Sequence, residues 1–220
     1  MFYQKYCAKI ISDMTQVVVA IGLITVLSNY VRSGLMDAGL WAEPDFWQRW
    51  ALLVVTILFA SYHLIAYTAD LACEPADTAW AAGDRSPSKI IVLFLVDLAG
   101  LGALGAMFAV LAVGGAAGIE RFAVEWPALS WLAGFAATWH GLNVVWHVLA
   151  GSRWSAWGSH FGFGALFAGL AAWAHLSAHD RLALPAAQVE DLWILAFAGV
   201  VLMLYFTRGR RLIRTALSQH

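Results

Sequence analysis

Histidine is the residue type in this chain whose spacing points to chemistry. His140 and His147 stand seven residues apart in the apolar run 137–147, with Asn143 between them. Seven residues is close to two turns of α-helix, so the three side chains share one face. Polar groups among apolar neighbours cost free energy unless they meet partners. A third histidine, His63, lies in a similar setting, "LFASYHLIAYTAD" over 58–70, and Asp97 interrupts the apolar run that follows. Neutral imidazoles and a carboxylate in such surroundings suit three kinds of chemistry: ligation of a haem iron, proton relay, and metal-assisted hydrolysis.

Other chemistries lack their motifs. The chain contains no G-x-S-x-G, no Walker A loop and no G-x-G-x-x-G. Cys7 and Cys73 form no C-x-x-C pair and imply neither a disulfide framework nor a thiolate metal site. A net charge of −1 leaves no basic surface for nucleic acid.

The elements that must position the histidines are membrane helices. The 220 residues are 61% hydrophobic and 12% charged, against about a quarter charged in ordinary soluble domains. Ionisable residues gather in short segments between long apolar runs. An all-α, multi-pass membrane protein follows, a single transmembrane domain over 1–220. A span needs about 20 mostly apolar residues, which predicts six: Met14–Val31, Phe46–Leu71, Lys89–Ala117, Trp126–Ala150, Ser159–Ser177 and Asp191–Thr207. Lys5 and Lys9 precede "VVVAIGLITVL", but no small-residue cleavage site follows, so this segment reads as a retained first helix.

Positive charge sets the expected orientation. With the N-terminus inside, the cytoplasmic segments carry Lys5, Lys9, Arg85, Lys89, Arg153, Arg208, Arg210, Arg211 and Arg214. The opposite side carries Arg32, Arg49, Arg121 and Arg181. The imbalance favours N-in, C-in, in a bacterial inner membrane. Trp41, Trp47, Trp50, Trp126, Trp131 and Trp193 are expected at the outer interface, and Trp154 and Trp157 at the inner one. The terminal arginines are read as topology signals that contact membrane lipid.

Helices two and four also look alike. With His63 set on His140, Ala60 falls on Ala137, Ser61 on Thr138, Tyr62 on Trp139, and Asp70 on His147. In the helices that follow, "GLGALGAMFA" (100–109) and "GFGALFAGLA" (162–171) agree at six of ten positions. The expectation is an internal duplication, with repeats over 46–117 and 126–177 related by an axis along the membrane normal. His63 and His140 would then be symmetry mates, each about 12–15 Å from the cytoplasmic boundary, with Asp97 at a similar level. Glycines 100, 102, 105, 162, 164 and 169 would let helices three and five approach their neighbours.

The leading expectation is a membrane-embedded b-type haem protein. His63 and His140 would be the cofactor-binding pair and ligate the iron, and electrons would pass at the cytoplasmic half to or from a quinone or a redox partner subunit. Ser61, Asp70, Asp97, Thr138, Asn143 and His147 would form the polar shell. The alternative is a proton- or ion-conducting channel or transporter using the same His/Asp cluster. A zinc hydrolase built on His175 and His179 ranks lowest, because that pair lies at the other end of helix five. His160 and His147 are expected at the interface. A packing role for all the histidines stands beside these readings, each interhelical hydrogen bond being worth about 0.6 kcal/mol. Homo-oligomerisation is open, and short loops leave no room for a soluble catalytic domain.

Overall fold

A computed structural model describes residues 3, 7–32, 42, 44–72, 86–113, 125–152, 154–179, 181, 189–210 and 214. They form six helices: α1 (Ala8–Arg32), α2 (Pro44–Ala72), α3 (Pro87–Val113), α4 (Trp126–Ala150), α5 (Trp154–Ala178) and α6 (Val189–Leu204). A π-helical turn, Tyr205–Gly209, continues α6. Every expected span falls on one of these helices; the last residues expected of the third, 114–117, lie outside the described residues.

Among the described residues five helices, α1, α2, α3, α5 and α6 together with its π turn, are long and apolar enough to cross a membrane, and the chain is a multi-pass membrane protein. The exception, α4, has 25 residues, the same length as α1 and α5. It carries His140, Asn143 and His147, whose polar side chains lower its hydropathy. Its outward face is still apolar, with Trp131, Val145, Val148 and Leu149 exposed.

The helices alternate in direction. At one end, hereafter the terminal end, Tyr3 reaches Asp97 and Trp146. At the far end, Asn29 donates to the Ala112 carbonyl (3.0 Å), the Tyr30 hydroxyl to the Arg49 carbonyl (3.4 Å), and Gln48 to Asp191 (2.9 Å). Between lipid-solvated helices, association rests on close packing and interhelical hydrogen bonds, and both are visible. Trp193 is fully buried and donates its indole N–H to the Leu170 carbonyl at 2.9 Å. It therefore belongs to the core and not to the expected aromatic belt, because its polar edge finds a backbone acceptor inside. Trp47, Trp131 and Trp154 are exposed as a belt requires, while Trp41 lies outside the described residues.

Small residues set the approach distances. A Cβ on Gly22 would stand 2.6 Å from the Phe108 ring, so α1 seats directly on α3 there. Gly105 faces Val18, Gly100 faces Trp139, and Gly164 lies against His140. Gly102, Gly162 and Gly169 have open space around them, so they do not serve the close approach expected of them.

Helix α4 packs along both α5 and α3, α1 rides on α3, and α2 lies mainly against α6 and α1. The two hairpins read as repeats are thus packed differently: α5 follows α4 closely, whereas α3 meets α2 at few points. Bulky rings span the wider gap between α2 and α4, with Phe59 and His63 on one side and Trp139 and His140 on the other.

Candidate functional site

The site grows from two helix stripes. Among the described side chains of α5 the buried ones are His160, Phe163, Phe167, Leu170 and Ala174, a spacing of three and four that puts them on one face. On α4, Trp139, His140 and His147 are buried. The α4–α5 turn brings the stripes into register. Gly151 adopts a left-handed conformation (φ 77°, ψ 25°), and the Ser152 amide returns to the His147 carbonyl at 2.9 Å. This closes α4 with a Schellman-type cap, in which a side chain with a Cβ would be strained. His140 and His160 are almost equidistant from this turn and so meet at one level.

They meet directly. The two Nδ1 atoms lie 3.1 Å apart, within hydrogen-bonding distance. His140 is stacked on Phe167 (centroids 5.5 Å, planes 16° apart) and on Phe163 (5.9 Å, 22°), and Phe59 presents its edge. The His147 ring is 5.5 Å from His160, and its Nδ1 pairs with the Ser152 hydroxyl at 3.2 Å. His63 stands edge-on to the Trp139 indole at 4.8 Å, and the indole stands edge-on to His140 at 4.7 Å.

Tautomer chemistry constrains the pair. A neutral imidazole has one N–H donor and one bare acceptor nitrogen. A hydrogen bond between two Nδ1 atoms requires one ring to carry its hydrogen there and the other to carry it on Nε2. The pair therefore presents one Nε2–H and one bare Nε2 to its surroundings. Both Nε2 atoms are buried without a hydrogen-bond partner in the protein, as are both nitrogens of His63 and the indole N–H of Trp139. Each buried group of this kind costs about 1–3 kcal/mol unless something pairs with it.

A second polar group adjoins the first. Tyr67, whose ring is 5.9 Å from His63, donates its hydroxyl to Asp97 Oδ2 at 3.0 Å. Tyr3, ahead of α1, donates to the same oxygen and accepts from the Trp146 indole at 3.4 Å. Asp97 is thus held by two phenols instead of facing His63 and His140 directly, and Tyr67 is the link between the groups.

The remaining expected residues divide. His147 joins the cluster. Asn143 is half-buried and donates to the Trp139 carbonyl of its own helix at 2.8 Å. Thr138 and Ser61 are exposed, and Thr138 donates to the Gly134 carbonyl. Asp70 lies on α2, but its side chain lies outside the described residues. His175 and His179 are exposed at the far end with rings 4.7 Å apart. Among the described residues no three His, Cys, Asp or Glu are grouped to hold a metal ion.

The expected haem pair is present as residue types but not as a facing pair. The Trp139 indole stands against both His63 and His140, and the nearest imidazole to His140 is His160. As packed, these residues do not fit a macrocycle between His63 and His140.

Sequence reasoning missed three participants. His160 is fully buried, not interfacial; its near-symmetry with His140 about Gly151 was the available signal. Tyr3 gave no signal, since nothing local ties it to Asp97. Arg208 reads as one of a run of topology-setting arginines, yet its Nη1 atom is buried and its charge acts on His140, His147 and His160. The π turn at 205–209 changes the residue register at that point. No known protein family, characterised protein or solved structure matches the chain.

Proposed function

We propose that the buried histidines form a proton relay and that the protein is a proton-conducting channel or transporter, oriented N-in and C-in in a bacterial inner membrane. The observation that carries this reading is the direct His140–His160 hydrogen bond in the interior of the bundle. A proton arriving on the bare Nε2 of one ring lets its Nδ1 hydrogen pass to the partner's Nδ1. The partner then releases its own Nε2 hydrogen. One proton enters, one leaves, no net charge stays, and both tautomers are exchanged. His147 and Ser152 stand on the terminal side of this pair. Beyond Trp139, His63 and Tyr67 lead to Asp97, a carboxyl able to accept or release a proton. Trp139 has only a donor, so it separates His63 from the pair instead of relaying.

Towards the far end the cluster is closed by stacked and edge-on rings: Phe59, Phe167, Phe197 and Trp193. A layer of this kind acts as a gate, and proton movement then requires it to part. The test is proton uptake by proteoliposomes under an imposed potassium potential, read with an internal pH dye. Wild-type protein is expected to exceed protein-free vesicles, and His140→Asn and His160→Asn each to lose most of that flux. Equal flux in wild type, both variants and empty vesicles would sink the reading.

One observation favours the haem reading as a runner-up: His63 and His140 both keep ring nitrogens without protein partners. A haem would supply one-electron chemistry with a quinone or partner subunit, and Trp139 would have to leave its position. Protein purified from haem-supplemented cells would then show a Soret band that His63→Ala and His140→Ala each abolish. A colourless wild type removes this reading.

A further inference from the structure

Trp139 interrupts the relay between His63 and the His140–His160 pair, and its own polar edge is unaccounted for. The indole is 1% exposed, and its N–H meets no acceptor in the protein. Trp193 is buried as deeply, yet its N–H is satisfied by the Leu170 carbonyl at 2.9 Å. His63 repeats the problem: both ring nitrogens are buried without a protein partner, and the ring is 4.8 Å from the same indole. A neutral imidazole keeps one N–H and one bare nitrogen. Two donors, one from Trp139 and one from His63, are thus left side by side in the interior.

The space beside the indole has a cause in the sequence. Gly100 is buried on α3, one turn after Asp97. A Cβ there would stand 3.7 Å from Cδ1 of Trp139 and 3.9 Å from its Nε1, and it would meet nothing else within 4 Å on another helix among the described residues. The glycine therefore leaves a niche the size of a methyl group next to an unpaired N–H.

We propose that this niche is a binding site for one internal water molecule, which accepts from the Trp139 indole and from the His63 N–H and donates to the bare Nε2 of the His140–His160 pair. The rings of that pair lie 4.7 and 5.7 Å from the indole. Three hydrogen bonds are about what a buried water makes. A cation cannot accept from the indole, an anion cannot donate to a bare imidazole nitrogen, and a larger molecule exceeds the niche. The water carries the relay past Trp139. A proton arriving on the bare nitrogen of His63 releases the hydrogen on its other nitrogen to the water, and the water passes one of its own hydrogens to the bare Nε2 of the pair. One proton enters and one moves on. Trp139 is a positioning residue that holds the water and keeps its own hydrogen. As a link in proton transfer the water rests on the relay reading; as a bound molecule it does not.

The test has two arms on purified full-length protein. In the first, brief X-ray irradiation generates hydroxyl radicals from water, and mass spectrometry locates the oxidised side chains. A bound water beside Trp139 should oxidise it several-fold faster than Trp193, which is equally buried but has a protein acceptor. Gly100→Ala fills the niche without a close contact and should bring Trp139 down to the rate of Trp193, whereas Gly102→Ala, in open space on the same helix, should not. In the second arm, proton flux into vesicles is compared. Gly100→Ala is expected to lose most of it, and Gly100→Ser, whose hydroxyl can stand in for the water, to recover much of it. That set of results supports the whole proposal. Loss of labelling with unchanged flux, or with a flux that Gly100→Ser leaves low, keeps the site and overturns its place in the relay. Trp139 labelling no faster than Trp193 in wild type, or indifferent to Gly100→Ala, overturns the site. Wild-type flux no greater than that of empty vesicles overturns the relay and the water's part in it, and the labelling arm then decides the site alone.

Discussion

Each histidine in this protein differs in what surrounds it. His140 is enclosed by rings and bonded to His160, while His147 sits at the capped end of its helix against Ser152. This separates their expected effects: His147→Asn should slow proton flux by less than His140→Asn, because Ser152 and water offer a parallel route at the terminal end. The ratio of the two rates in matched vesicles decides it; equal losses would place both in one obligatory chain. Gly164 acts through contact instead of chemistry. A Cβ there would stand 3.3 Å from the Cβ of His140, so Gly164→Ala must push α5 away from the ring it holds. Overpacking of this kind costs about 1–3 kcal/mol. A fall of several degrees in the unfolding midpoint, together with reduced flux, is expected; an unchanged midpoint would mean that α5 yields freely. At this scale the sequence was only partly informative. It put His140 and His147 on one helix face from their spacing, and both are buried there, although His147 was expected at the interface. It could not pair His140 with His160, since a direct contact depends on how two helices rotate against each other.

Helices were the most legible level, because twenty apolar residues in a row leave the backbone few options in lipid. What escaped were the irregularities that tune them. The π turn at Tyr205–Gly209 begins inside an expected span and has no sequence signature, yet it sets the position of Arg208, and the Tyr205 hydroxyl donates to the Leu58 carbonyl on α2 at 2.7 Å. Deleting Thr207 should restore α-helical register beyond it and move Arg208 away from the histidines. Lower proton flux per folded protein without loss of assembly, judged by a monodisperse elution profile, is the expected result. The α1–α3 contact offers a separate check on element packing. Gly22→Ala places a methyl group within the volume of the Phe108 ring, on the least buried of the five membrane-length helices among the described residues. Destabilisation of about 1–3 kcal/mol is expected, with flux per folded protein unchanged, since neither residue touches the histidine cluster. Flux that falls in step with folded protein agrees; a larger loss would tie α1 to the relay.

At the level of the whole molecule, polar groups are divided between two ends by an aromatic layer. The terminal end holds the histidines, Arg208, Asp97 and Tyr3; the far end holds Gln48, Asp191 and the exposed pair His175 and His179. The rings between them pack in series: Phe59 edge-on to Phe167, Phe167 edge-on to Phe197, and Phe197 stacked on Trp193 at 5.3 Å. Phe167 occupies the centre of this series and also stacks on His140 at 5.5 Å. Removing its ring leaves a cavity that joins the polar end to the space below the far-end residues, at a stability cost of about 3–5 kcal/mol. Phe167→Ala should therefore raise resting proton leak while lowering thermal stability, the opposite pairing from a histidine variant that lowers flux. Phe167→Leu, which refills most of the volume, should restore much of the stability and much of the barrier. The comparison is made in vesicles of equal folded-protein content. A leak no greater than wild type in Phe167→Ala would show that the layer is not the barrier, and that the relay closes somewhere else along the bundle.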